Sequence, residues 1–300
     1  MDTRADSGVS EVSIQTMPSY EMHSYRRKVK SIAVWSISFA ALAFVMFIIL
    51  DILLSVISKG VPGLSLKLFA TQTSGIAGGL QNAILGTLML IVISSLISAP
   101  LGVLAGIYIS LFAPKRFGAV IRFISEVLAG IPSIVIGYFG YMVMVLQWGM
   151  GFSALAGGIS LSIIILPYIV RTTDASFRQI PKSYLEGAIA LGMTPFMATR
   201  TVLLKLATPG VLTGILLAVS IALGETAPLI YTAGWSNFDP NLQLIKNPVA
   251  YLTYVVWTYL NEPYNAAHQL AYTAALLLVA IVLVLHLLVR LLQRGSIKHA

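Results

Sequence analysis

The sequence predicts an all-α integral membrane protein with six transmembrane helices. Three observations predict it. Of 300 residues, 57% are hydrophobic and only 10% are charged, where a soluble domain carries about a quarter charged residues. Six stretches are long and apolar enough to cross hydrocarbon, which takes about 20 helical residues. The cations are shared unevenly between the loops that those stretches define, as the topology of a membrane protein demands.

The predicted spans are roughly 31–58, 81–112, 122–147, 153–173, 206–234 and 270–292. Residues 1–25 are polar and are expected to form a disordered cytoplasmic tail without the apolar core of a signal peptide. The first apolar run follows Arg26-Arg27-Lys28-Val29-Lys30 and is too long for such a core, so it reads as a retained span. A further run, Pro248–Leu260, is too short for a span and rich in Tyr and Trp. It suits an interfacial or re-entrant helix.

Charge placement orients the chain. With the N-terminus inside, only Lys59, Lys67 and Lys246 of the 19 Lys and Arg residues fall outside. A seventh span at 248–260 would also move Arg290, Arg294 and Lys298 outside. Both termini are therefore expected in the cytoplasm, and the net charge of +8 reports topology rather than a nucleic-acid partner. The chain has no cysteine, which excludes disulfides, thiolate metal sites and a Cys nucleophile.

Small residues recur four apart on two spans: Ser94, Ser98, Gly102 and Gly106 on the second; Ala129, Ser133 and Gly137 on the third. Such stripes let helix backbones approach closely in lipid. Pro100, Pro132 and Pro167 are expected to kink or break their helices.

The longest inner loop, about 174–205, holds the clearest local signal. Ser183 and Glu186 read as an S-x-x-E capping box, and Gly192 stands where a left-handed C-terminal cap is wanted. They bracket a helix at about 184–191 with Leu185, Ala188 and Ile189 on one face. A helix this short needs a surface to lie on. Spacing alone leaves open whether that surface is a partner or the chain's own bundle.

Ionisable residues at membrane depth are functional candidates by default. Glu225 lies in the fifth span, three residues before Pro228, whose missing N–H lets the backbone open. It reads either as a pathway or gate residue or as a structural polar partner. Arg171, at the inner end of the fourth span, either pairs with an anion or snorkels to the interface. Glu126 is expected to pair with Arg122 at i, i+4. Asp51 is expected to be solvated, and His286 to be packed or interfacial.

The stretch Glu186-Gly187-Ala188-Ile189-Ala190-Leu191-Gly192 resembles the "EAA" loop of ABC importer permeases. The resemblance implies that Leu185, Glu186, Gly187, Ala188, Ile189, Leu191 and Gly192 form a coupling helix that docks on a cytoplasmic ATPase. Four further stretches are similar to phosphate-importer permeases of the PstA type: Gly224-Glu225-Thr226-Ala227-Pro228-Leu229 with Tyr231–Trp235, Leu128–Val135, Leu166–Arg171 and Gly78–Ile84. This likeness runs from about residue 26 to the C-terminus. It implies a type I, binding-protein-dependent ABC importer permease fold over 26–300, in the bacterial cytoplasmic (inner) membrane. Glu225, Arg171 and Thr226 would then line the translocation pathway. The implied partners are a second permease (PstC type), an ATPase dimer (PstB type), an extracytoplasmic phosphate-binding protein (PstS type) and the lipid bilayer. The segment 235–269 is a candidate contact for the binding protein. The chain itself would bind no cofactor; ATP and Mg would sit on the ATPase, since no G-x-x-x-x-G-K-[ST] loop is present.

Two positions depart from the family pattern. Lys205 stands where a Pro is usual, and Ile221 where an Arg is common. The pathway's positive charge is then expected from Arg171 or the second permease. A permease for another small oxyanion, such as molybdate or sulfate, is the alternative. An intramembrane enzyme lacks any H-E-x-x-H, G-x-S-x-G or Cys, and a scaffold would leave the Glu-bearing fifth span unexplained.

Overall fold

The computed structural model describes residues 18–75 and 77–297. It contains two compact units, Met1–Ser55 and Val56–Ala300. Of the first, helix α1 (Pro18–Gly60) supplies the described residues, its last turn belonging to the second; it starts within the expected tail, and residues 1–17 lie outside the described residues. Its apolar side chains, such as Trp35 at 75% and Phe39 at 72%, are exposed, as suits a helix solvated by lipid.

The second unit holds the bundle. Its elements are α2 (Leu66–Ala70), a small antiparallel pair β1 (Thr73–Ser74) and β2 (Ala77–Gly78), α3 (Gln81–Ile107), α4 (Lys115–Gly130), α5 (Ser133–Gly140), α6 (Ala154–Arg178), α7 (Lys182–Ala190), α8 (Pro195–Ala198), α9 (Leu204–Gly224), α10 (Ala227–Thr232), α11 (Leu252–Leu260) and α12 (Asn265–Ile297). Wider π turns extend α3 to Phe112, extend α5 to Gln147 and join α8 to α9.

Five helical stretches among the described residues are long and apolar enough to cross a membrane: Lys30–Gly63, Gln81–Phe112, Ala154–Arg178, Pro195–Gly224 and Asn265–Leu287. The expected third span, 122–147, is not one straight helix. Lys115–Gly130 and Ser133–Gln147 meet at 91°, and together make a sixth span only as a bent pair. Pro132 is the cause: it forces Ile131 out of the helical region, to φ −71° and ψ 129°. The stripe Ala129–Ser133–Gly137 is accordingly cut. Pro100 and Pro167, by contrast, lie inside continuous helices.

Helix α6 is the axis of the bundle, with Leu161, Ile165 and Ile169 fully buried. Helix α3 packs along it through the predicted stripe, and Ser94, Ser98, Gly102 and Gly106 are all buried. The fit is tight: a Cβ on Gly102 would lie 2.7 Å from Ile169 Cγ2. Small residues here do what larger ones cannot, bringing two backbones within van der Waals reach.

In the expected interfacial or re-entrant segment 248–260 the first part is core. Val249, Ala250, Tyr251, Leu252 and Val255 are at most 1% exposed. Its short helix α11 packs against α12 and the start of α3. Tyr and Trp content suggested a headgroup position; Tyr251 and Tyr259 are instead buried, while Trp257 stays 61% exposed.

Candidate translocation and coupling sites

The fifth helix breaks where Pro228 predicted. Helix α9 ends at Gly224, Glu225 is extended at φ −74° and ψ 129°, and α10 starts again at Ala227. Pro228 sits in the first turn of α10, where a missing N–H costs nothing. The break exposes main-chain groups that a continuous helix would pair with each other. One is taken up from far away: Thr253 Oγ1 donates to the Glu225 carbonyl at 2.9 Å.

That bond belongs to a strap, residues 249–253, threaded past the break. Val249 N donates to the Ala233 carbonyl at 3.1 Å. Leu252 N donates to Thr87 Oγ1 of α3 at 2.9 Å. Ala250 passes so close to α3 that a Cβ on Gly86 would sit 2.0 Å from its carbonyl oxygen. On the other side of the break α5 presses in; a Cβ on Gly137 would lie 2.5 Å from Pro228 Cα. Break and strap enclose a small cavity whose polar lining is Thr87, Glu225, Tyr251 and Thr253. Glu225 and Thr226 are both half-buried.

Arg171 does not join this group. Leu161 lines the cavity, and Arg171 is ten residues further along α6, about 15 Å at 1.5 Å per residue. Its side chain is half exposed and lies 4.0 Å from the Glu126 carboxylate. The expected Arg122–Glu126 pair is therefore corrected: Glu126 faces Arg171 instead. Arg122 reaches across to α6, donating to Asp174 Oδ2 at 2.7 Å and to Oδ1 at 3.0 Å, and also to the Ile109 carbonyl at 3.0 Å. Asp174 is almost wholly buried, and Arg178, one turn on, approaches it at 3.9 Å. The i, i+4 rule failed because a buried bidentate partner outcompetes an exposed neighbour on the same helix. Asp51 is exposed. His286 is exposed too, and its Nδ1 lies 2.8 Å from the Val282 carbonyl.

The loop helix forms as α7, Lys182–Ala190, two residues earlier than expected. The capping box does not: Pro181 holds the N-cap position and no side chain caps the helix, so Ser183 already lies inside the first turn. The C-terminal cap does form. Gly192 has φ 83°, Gly192 N donates to the Ile189 carbonyl at 2.9 Å, and Met193 N to Ala188 at 3.1 Å. This is the paired closure that a left-handed residue permits.

The expected single apolar face is divided between two surfaces. Ala188 is buried, and Leu185 packs with Phe177, Leu203 and Ala207. Tyr184, Glu186, Gly187, Ile189 and Leu191 are exposed, Leu191 at 82%. The helix thus rests on its own bundle and still offers an apolar surface outward.

At the start of α3, the buried Asn82 ties the hairpin to the segment after α10. Its Oδ1 accepts from Thr73 N and Thr73 Oγ1, and its Nδ2 donates to the Ser236 carbonyl at 2.9 Å. Gln72 Nε2 donates to Asp239 at 2.9 Å. Residues 235–247 carry exposed Phe238 and Leu242. Among the described residues no group of three or more His, Asp or Glu is placed to hold a metal ion.

Comparison with known proteins places these features in a family. The profile described as "Binding-protein-dependent transport system inner membrane component" matches residues 98–298. The Phosphate transport system permease protein PstA 2 of Mycobacterium bovis is 42% identical over 293 residues, covering 98% of this chain and 97% of its own. The Phosphate transport system permease protein PstA of Pasteurella multocida is 37% identical over 275 residues, covering 90% and 96%. Solved structures share the fold at low identity. A chain of a bacterial alginate ABC transporter, solved in complex with an alginate-bound periplasmic protein, aligns with TM-score 0.61 at 13% identity over 90% of this chain and 97% of that one. A chain of the MetNI methionine ABC transporter, solved in inward-facing conformations, aligns with TM-score 0.57 at 18% identity over 72% and 97%.

Proposed function

Because this chain belongs to the family of binding-protein-dependent transport system inner membrane components, among the permeases of the PstA type, we propose that it is a permease subunit of an ATP-driven importer of inorganic phosphate. The observation that carries the substrate is near-full-length similarity to phosphate transport permeases. The helix break at Glu225–Thr226 supports a pathway here, since discontinuous helices line transport sites in many membrane carriers.

Energy comes from a separate ATPase dimer (PstB type), which binds ATP and Mg and docks on the outward face of α7. A second permease (PstC type) completes the pathway. A phosphate-binding protein (PstS type) delivers the anion against residues 235–247. The rest of the expected segment 235–269 also exposes Trp257, Leu260 and Tyr264 and belongs to this contact as well. Both termini face the cytoplasm. Closure of the ATPase dimer pulls α7 and rocks the bundle between inward- and outward-open forms. Glu225 and Thr226, at the break, line the gate. Arg171 lies toward the inner end of α6, where it meets the anion on exit or snorkels to the interface.

The test is reconstitution. The chain, co-expressed with its ATPase, second permease and binding protein in cells lacking their own phosphate importer, should restore labelled phosphate uptake that excess sulfate or molybdate does not compete away. Glu225→Gln should abolish most of that uptake with the complex still assembled. Uptake of sulfate or molybdate in preference to phosphate would overturn the assignment.

A further inference from the structure

The cavity at the break has one wall that the transport reading leaves unused. Tyr251 is 1% exposed. Its ring packs edge-on to Tyr254 at 5.6 Å, and Tyr254 stacks on Trp235 at 4.5 Å. The strap bonds on either side of it fix its backbone. Its Oη, however, has no hydrogen-bond partner among the described residues. A buried phenol is among the groups that nearly always find one. Burial also pushes its pKa well above the ordinary value, so the group is a neutral O–H donor.

The cavity that Tyr251 lines, together with Glu225, Thr253 and Thr87, has room for about one water molecule and polar groups enough to hold it. Thr253 Oγ1 spends its proton on the Glu225 carbonyl, which leaves its lone pairs as acceptors. Thr87 Oγ1 donates to the Ala83 carbonyl and accepts from Leu252 N, so it is already engaged.

We propose that this cavity is a buried water site, in which one water accepts the Tyr251 O–H and donates to Thr253 Oγ1 and the Glu225 carboxylate. Tyr251 is then a positioning residue. It sets the orientation of Glu225 through the water, and the strap carries that setting from α3 to the break. The functional consequence rests on Glu225 acting in the transport pathway; the water site itself does not.

Two measurements test it. A structure of the assembled importer at a resolution that shows ordered water should place density in hydrogen-bond range of Tyr251 Oη, and Tyr251→Phe should remove it. A dry cavity, or a direct Tyr251–Glu225 bond, would overturn the site. In uptake assays Tyr251→Phe should lower phosphate transport by up to about tenfold, the effect of one hydrogen bond. In a Glu225→Gln background it should lower the residual rate no further, because the residue acts through Glu225. Losses that multiply, or wild-type uptake in Tyr251→Phe, would refute the positioning role. If the wild-type complex moves no phosphate, the substrate assignment fails while the water density still decides the site.

Discussion

Removing the Asp174 carboxylate while keeping its shape leaves the Arg122 guanidinium without its bidentate partner. Severing a buried pair costs about 3–5 kcal/mol. Here Arg122 keeps a quarter of its side chain exposed, so Asp174→Asn should cost less, about 2 kcal/mol, read as a lowered Tm of the purified complex. Replacing both partners by apolar residues should cost less than Asp174→Asn alone. A Tm unchanged in Asp174→Asn would show the pair to be idle. Neither the pair nor the Tyr251 cavity was legible in the sequence. Arg122 and Asp174 are 52 positions apart, and the local rule pointed Arg122 at Glu126. Glu225 was legible, because a charge inside an apolar run stands out against its neighbours.

At the scale of elements, α7 separates two roles that the sequence superimposed. Leu185 and Ala188 hold it to the bundle, whereas a Cβ at Gly187 would meet nothing within 4 Å. Gly187→Leu should therefore leave the permease folded and inserted at wild-type level, yet reduce co-purification of the ATPase and abolish uptake. Intact ATPase binding in that variant would count against docking on this face. The helix and its glycine cap were readable because both are set by residues within one turn of each other. Its true N-terminus was missed because Pro181, with φ −56° and ψ 137°, imposes an earlier start than the Ser183 box implied. The right-angle turn at Pro132 was half read. A proline announced a disturbance, but the same signal at Pro100 and Pro167 left helices intact, since neighbouring helices accommodate those prolines within the bundle.

For the whole molecule, sidedness is the property most open to a direct check. The chain lacks cysteine, so single-cysteine variants report one position each. In intact cells with the outer face accessible, Leu242→Cys should react with a membrane-impermeant maleimide and Leu191→Cys should not; the reverse should hold in inverted vesicles. Equal labelling of both from one side would overturn the proposed topology. Which segments are apolar enough for lipid, where the fifth helix breaks, and which loop carries the capped helix could all be read from the sequence. Those depend on composition, or on residues a few positions apart. That 249–252 is core, that Arg122 serves Asp174, and that Thr253 bonds Glu225 beside a cavity shared with Tyr251 follows only from packing in three dimensions. The reason is physical: in a membrane protein the inside and the lipid face are both apolar, so hydrophobic pattern distinguishes them poorly. The bonds that close the site join residues 28 to 165 positions apart, and no local periodicity records them.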